Sequence, residues 1–169
     1  MKPVGKKIFN FLELHLPTFV FFLLVASVST QVFSRYVLNY PLPKFFELSI
    51  YSFVWVIYLG AALAKRYNKH IRFDIINKKL SEKTRSIIDI FFDLVTIVVF
   101  LFLLVPSIRY TIWNYRVKAS ALRVPWTYLL LCFPLFIILI IIHNAASIVQ
   151  NVRFLAGGEI QSQEELPWL

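Results

Sequence analysis

Four long apolar runs constrain what this chain can fold into. Pro17 to Ser34 and Leu48 to Ala64 contain no charged residue. A third run, Ile87 to Trp113, carries Asp89 and Asp93 near its start and Arg109 near its end. The fourth, Pro125 to Val152, is uncharged unless His143 titrates. A bilayer core takes about 20 apolar residues per helix, and without water every backbone N–H and C=O must be bonded within the spanning structure. The chain is therefore predicted to be an all-α integral membrane protein with four transmembrane helices. Their expected limits are 8–38, 44–66, 84–113 and 125–153. They form one membrane domain over 1–155, followed by a polar tail over 156–169.

Composition agrees with a bilayer as solvent. The 169 residues are 59% hydrophobic and only 16% charged, against about 25% charged in soluble domains. A net charge of +9 raises the question of nucleic acid, but Lys and Arg cluster between the apolar runs, the pattern of membrane-surface charge; no nucleic-acid partner is expected. With the N-terminus inside, Lys2, Lys6, Lys7, Lys65, Arg66, Lys69, Arg72, Lys78, Lys79, Lys83, Arg85 and Arg153 make 12 cations on the cytosolic side. Six lie outside: Arg35, Lys44, Arg109, Arg116, Lys118 and Arg123. The positive-inside rule then puts both termini in the cytosol, with membrane lipids around the helices and Trp113, Tyr115 and Trp126 at the outer interface. The charged start before Ile8 is read as the flank of a retained first helix, since no small-residue cleavage site follows. The lone Cys132 excludes an intramolecular disulfide.

Charge near lipid usually faces protein or water, so each such residue is a candidate contact. Arg35 ends helix one and Glu47 begins helix two, where it suits the positive end of the helix dipole. The turn through Asn39, Pro41 and Pro43 brings the two close enough to pair, or to meet a partner together. Arg85, Asp89 and Asp93 recur every four residues on one face of helix three, for contacts to the basic loop or to another subunit. Arg66, His70, Arg72 and Asp74 form the polar exit of helix two. Beyond it, Ile71, Ile75, Ile76 and Leu80 alternate with Arg72, Lys78 and Lys79, as either a short interfacial helix or a solvated basic loop. Trp55 and the small residues Gly60, Ala61 and Ala62 offer a face for close helix packing. Pro106 and Pro134 are candidate kinks. No phosphate loop, Cys/His metal cluster or nucleophile–base pair is present in the sequence, so no catalysis is expected.

The order Gln31-Val32-Phe33-Ser34-Arg35-Tyr36-Val37-Leu38-Asn39-Tyr40-Pro41, then Glu47-Leu48, resembles the first hairpin of the small, DctQ-like membrane subunits of tripartite ATP-independent periplasmic (TRAP) transporters. The likeness continues through Trp55, Leu59-Gly60-Ala61-Ala62, Lys65-Arg66 and His70-Ile71-Arg72-Phe73-Asp74, with an echo in Arg123-Val124-Pro125-Trp126. Lys44-Phe45-Phe46 departs from the Trp-Ser-Glu of many relatives. The resemblance implies a bacterial inner-membrane heterodimer with a large subunit that carries the substrate and sodium sites. A periplasmic binding protein would deliver an organic acid, such as a dicarboxylate or sialic acid. This chain would bind no cofactor itself. It would scaffold the large subunit, with Arg35, Lys44, Arg116 and Arg123 as candidates for meeting the binding protein.

Two readings from other classes stand beside it. His15 and His143, at similar depth on helices one and four, could hold a haem in a membrane redox protein. A small homo-oligomeric exporter could couple to protons through Asp89 or Asp93, although both lie nearer the cytosolic edge than mid-membrane.

Overall fold

The structure, a computed structural model, describes residues 11–66 and 81–156. A π turn, Phe11–His15, leads into α1, Leu16–Tyr36. Helix α2 spans Pro43–Arg66 and α3 spans Glu82–Trp113. A 3-10 turn, Asn114–Arg116, and a short loop lead to one helical turn, Thr127–Leu130, and then to α4, Cys132–Leu155. Four helices are long and apolar enough to cross a membrane: Phe11–Tyr36, Pro43–Arg66, Lys83–Arg116 and Thr127–Leu155. The all-α, four-span fold is the one the apolar runs predict.

The helix boundaries follow from local chemistry. After α1 the chain reverses at Asn39, whose φ of 52° is left-handed backbone that Asn tolerates better than most residues. The turn is closed twice, by Tyr40 N–H donating to the Ser34 carbonyl at 3.1 Å and by Ser34 Oγ donating to the Tyr40 carbonyl at 2.6 Å. Pro43 then opens α2, where its missing N–H and preset φ suit the first helical position. Ser81 caps α3, accepting from Thr84 N–H at 3.4 Å. Pro106 lies inside α3 and removes one rung of its hydrogen-bond ladder. Pro134 sits in the first turn of α4 and cannot bond back to the Leu130 carbonyl, so the Thr127–Leu155 span is interrupted at Leu131.

Helix α2 packs against both α1 and α4, and α3 packs against α4. Two hairpins, α1–α2 and α3–α4, are thus joined along the α2–α4 seam, with α1 and α3 as flanks. Leu59, Ala62 and Leu139 form the buried centre of that seam, with Leu16, Trp55, Leu135 and Phe136 against it. Rings extend the packing outward: Tyr58 meets Phe133 at 5.4 Å and Phe136 at 5.5 Å, and Phe136 meets Phe100 of α3 at 5.9 Å. The flanks carry bare apolar side chains, such as Phe22 and Phe102 at 67% and 80% exposure. In water such faces would associate; in lipid they are in their proper solvent. The bundle has a termini end, where α1 and α3 begin and α2 and α4 finish, and a turn end, which holds the α1–α2 and α3–α4 connections.

Candidate functional site

At the termini end, a buried ionic cluster joins three helices. The π turn before α1 presents Glu13, which has no exposed surface; such turns insert one extra residue and recur at functional positions. Arg66, the last residue of α2, donates from Nη1 to Glu13 Oε2 at 3.1 Å, and His143 Nε2 of α4 bonds Glu13 Oε1. The Arg66 and His143 side chains are 2% and 4% exposed, so one carboxylate is satisfied from two sides away from water. The preceding residue, Lys65, donates from Nζ to Asp93 Oδ1 of α3 at 2.8 Å. Successive helical residues point about 100° apart. Lys65 and Arg66 therefore reach different neighbours: two consecutive cations tie α2 to α3 and to the turn before α1, and α4 joins through His143 on the same Glu13. Arg85 and Asp89 lie partly buried on α3, two turns and one turn before Asp93.

At the turn end, a carboxylate clamps a loop. Glu47 falls just past the first turn of α2 and reaches the connection between α3 and α4. It accepts the Ala121 N–H at 2.9 Å on both oxygens and the Leu122 N–H at 2.7 Å. That connection is a small hairpin. Trp126 N–H donates to the Val117 carbonyl at 2.9 Å, Ala119 N–H to the Val124 carbonyl at 2.9 Å, and Arg123, at φ 56°, donates back to the Ala119 carbonyl at 3.0 Å. Its base is pinned as well. Thr127 Oγ1 donates to the Thr111 carbonyl at 2.8 Å, and Trp55 Nε1 of α2 donates to the Tyr128 carbonyl at 2.9 Å. Around this hairpin Arg35, Lys44, Arg109, Arg116, Lys118 and Arg123 are all exposed. Glu47 is the one acid in the sequence among them, and its two oxygens are taken up by the loop.

Several expectations change. Arg35 and Glu47 do not pair: the loop N–H groups, which have few other acceptors, hold Glu47, and the Arg35 guanidinium lies 5.7 Å from the centre of the neighbouring Tyr36 ring. His15 and His143 do not converge for a haem. His15 is exposed, while His143 is buried against Glu13. Among the described residues no group of His, Cys, Asp and Glu could hold a metal ion. Asp93, the candidate proton carrier, is engaged by Lys65. The small-residue face divides as well: Ala62 is buried in the seam, Ala61 is half-buried, and a Cβ added at Gly60 would meet nothing within 4 Å. The packed line within this chain therefore runs through Trp55, Leu59 and Ala62. His70, Arg72 and Asp74, the proposed interfacial helix and the polar tail beyond Ala156 lie outside the described residues.

Sequence reasoning missed Glu13 and the loop amides. The signal for Glu13 was present: an acid inside the first predicted span, at the same end as the Lys65-Arg66 exit of the second. For Ala121 and Leu122 no side-chain signal exists, because the groups used are main-chain N–H.

A comparison with curated proteins finds no match. The profile described as tripartite ATP-independent periplasmic transporters, DctQ component, matches residues 24–154. That range runs from within α1 to the last turn of α4; it takes in Glu47 and its loop at the turn end, and Arg66 and His143 but not Glu13 at the termini end. The family is one of transport components and not of enzymes. With four membrane-crossing helices and a match over most of its length, this chain belongs to the DctQ component family of tripartite ATP-independent periplasmic transporters.

Proposed function

We propose that this chain is the small membrane subunit of a sodium-coupled, binding-protein-dependent importer of an organic acid, a dicarboxylate or sialic acid. In this reading it adds static scaffold to a large membrane subunit that holds the substrate and sodium sites. Its turn end faces the periplasm and helps receive the solute-binding protein, and both termini are cytoplasmic.

One observation carries the scaffold role. No Asp, Glu, Lys or Arg stands between Glu13 and Arg35, between Glu47 and Lys65, between Asp93 and Arg109, or between Arg123 and Arg153. A path for an ionised acid or a sodium ion needs polar groups at mid-membrane. Here the described charges gather at the two ends; the seam between them centres on Leu59, Ala62 and Leu139, and Ser27 and Ser52, buried within the spans, are uncharged hydroxyls. The bare faces of α1 and α3 supply the apolar surface that a membrane partner needs. Association there rests on shape and aromatic packing, because lipid removes most of the hydrophobic drive.

Reconstitution tests this. The chain alone in proteoliposomes should accumulate neither labelled sialic acid nor labelled succinate. Together with the large subunit and binding protein of the same system, it should support sodium-dependent uptake of one of them. Uptake by this subunit alone would overturn the scaffold reading.

A further inference from the structure

We propose that Glu47 is a positioning residue: by holding the Ala121 and Leu122 amides it sets the shape in which the α3–α4 hairpin presents Arg116, Lys118 and Arg123 to an acidic protein surface. The inference rests on the reading that the turn end receives the binding protein, and it adds a residue that would not touch that partner. The geometry separates the two tasks. The three cations are exposed and free to meet an incoming surface. Glu47 sits on another helix and spends both oxygens on main-chain N–H groups at 2.7 to 2.9 Å.

Two further features make the hairpin a shape that has to be held. Arg123 adopts a φ of 56°, a left-handed conformation that residues other than glycine adopt only when something holds them there. Ala121 and Leu122, at the tip, carry no side chain able to bond the loop to the bundle, so their amides are the available handles. A second consequence is electrostatic. The rim holds six basic residues and one acid, and that acid is engaged internally. Six cations against one carboxylate leave the rim net positive, and an acidic partner meets a field that steers encounter and is weakened by salt.

The test is binding of the purified binding protein from the same system to the heterodimer in lipid nanodiscs, over a salt series. A loop released from its clamp visits the docking shape only part of the time, and the apparent Kd rises by the inverse of that fraction, about tenfold for one part in ten. Glu47→Gln is expected to weaken binding to that extent. It should leave heterodimer yield and bundle unfolding unchanged and give a salt slope no flatter than wild type, because every cation remains and one negative charge is lost. Glu47→Asp should recover part of the affinity. Wild-type affinity in Glu47→Gln would overturn the inference, and so would a parallel loss of yield and bundle stability, which would make Glu47 merely structural. The triple variant Arg116→Gln, Lys118→Gln, Arg123→Gln separates the two layers. It should flatten the salt slope, and if it binds like wild type the docking reading itself fails, whatever Glu47 does.

Discussion

At the termini end Glu13, Arg66 and His143 meet side chain to side chain with almost no exposed surface, whereas at the turn end Glu47 meets only main-chain N–H groups beside an exposed basic rim. Both ends use one carboxylate to join elements distant in sequence, but the two arrangements do different work. A buried ion cluster has paid heavy desolvation, and removing one member leaves the others stranded. It fixes which helices stand together. A carboxylate on loop amides near the surface has little burial to lose; it fixes the shape of a loop and leaves the bundle alone. One end therefore specifies the assembly of the four helices, and the other specifies what the assembly presents.

Substitutions can break or sharpen that contrast. The largest effect is expected from Glu13→Ala, which leaves Arg66 and His143 buried without their carboxylate. It should cost about 3–5 kcal/mol in a denaturant titration of the purified protein in mixed micelles. Adding Arg66→Met and His143→Leu should restore much of that loss, since apolar groups of similar volume can replace a buried ionic cluster. If the triple variant stays as unstable as Glu13→Ala, the cluster does more than settle its own charges. Asp93→Ala comes next, at about 1.5–3 kcal/mol for one charge-assisted hydrogen bond. Its loss should loosen α3 selectively, read as faster amide exchange there than in α1. Glu47→Gln should leave the same titration unmoved while amide exchange at Ala121 and Leu122 accelerates. A drop in bundle stability from this variant would erase the contrast between the ends. Gly60→Ala is expected to change the isolated chain by no more than about 0.5 kcal/mol, because nothing lies within 4 Å of the added carbon. If it nonetheless disrupts the heterodimer on co-purification, the open face at Gly60 belongs to the large subunit.

What was legible beforehand divides along the same physical lines. Apolar length and the Asn39–Pro43 turn marked out the spans and the first hairpin, because a bilayer demands continuous apolar helices and a tight reversal demands special backbone. The face shared by Asp89 and Asp93 was readable from four-residue spacing; the partner of Asp93, Lys65 at the end of α2, was not, since spacing does not say which cation turns toward it. The Arg35–Glu47 pair failed because nearness across a short turn is only an opportunity. Amides from residues 74 and 75 positions later took the carboxylate, and main-chain groups leave no trace in composition. Glu13 was overlooked although it lies inside the first predicted span; its partners come from the end of α2 and from α4, and only the closed bundle brings three such helices to one point. Of the expected packing face, Trp55 and Ala62 lie in the seam with Leu59 beside them while Gly60 stays open, for a simpler reason: one residue is about 100° of helix, and small side chains alone do not say which way they turn.

Consecutive Lys65 and Arg66 also bear on how the chain is made. Synthesis delivers α1 and α2 to the membrane before α3 and α4 exist. Glu13 and Arg66 both belong to that first hairpin, so it can enter the bilayer with its buried charges already neutralised in pairs. His143, 130 residues beyond Glu13, arrives last and finds an occupied carboxylate with one oxygen left for it. Lys65, meanwhile, waits at the membrane edge, where a long cationic side chain can reach the headgroups at little cost, until α3 brings Asp93. The first hairpin thus leaves two places open, and each later helix carries the side chain that fills one of them.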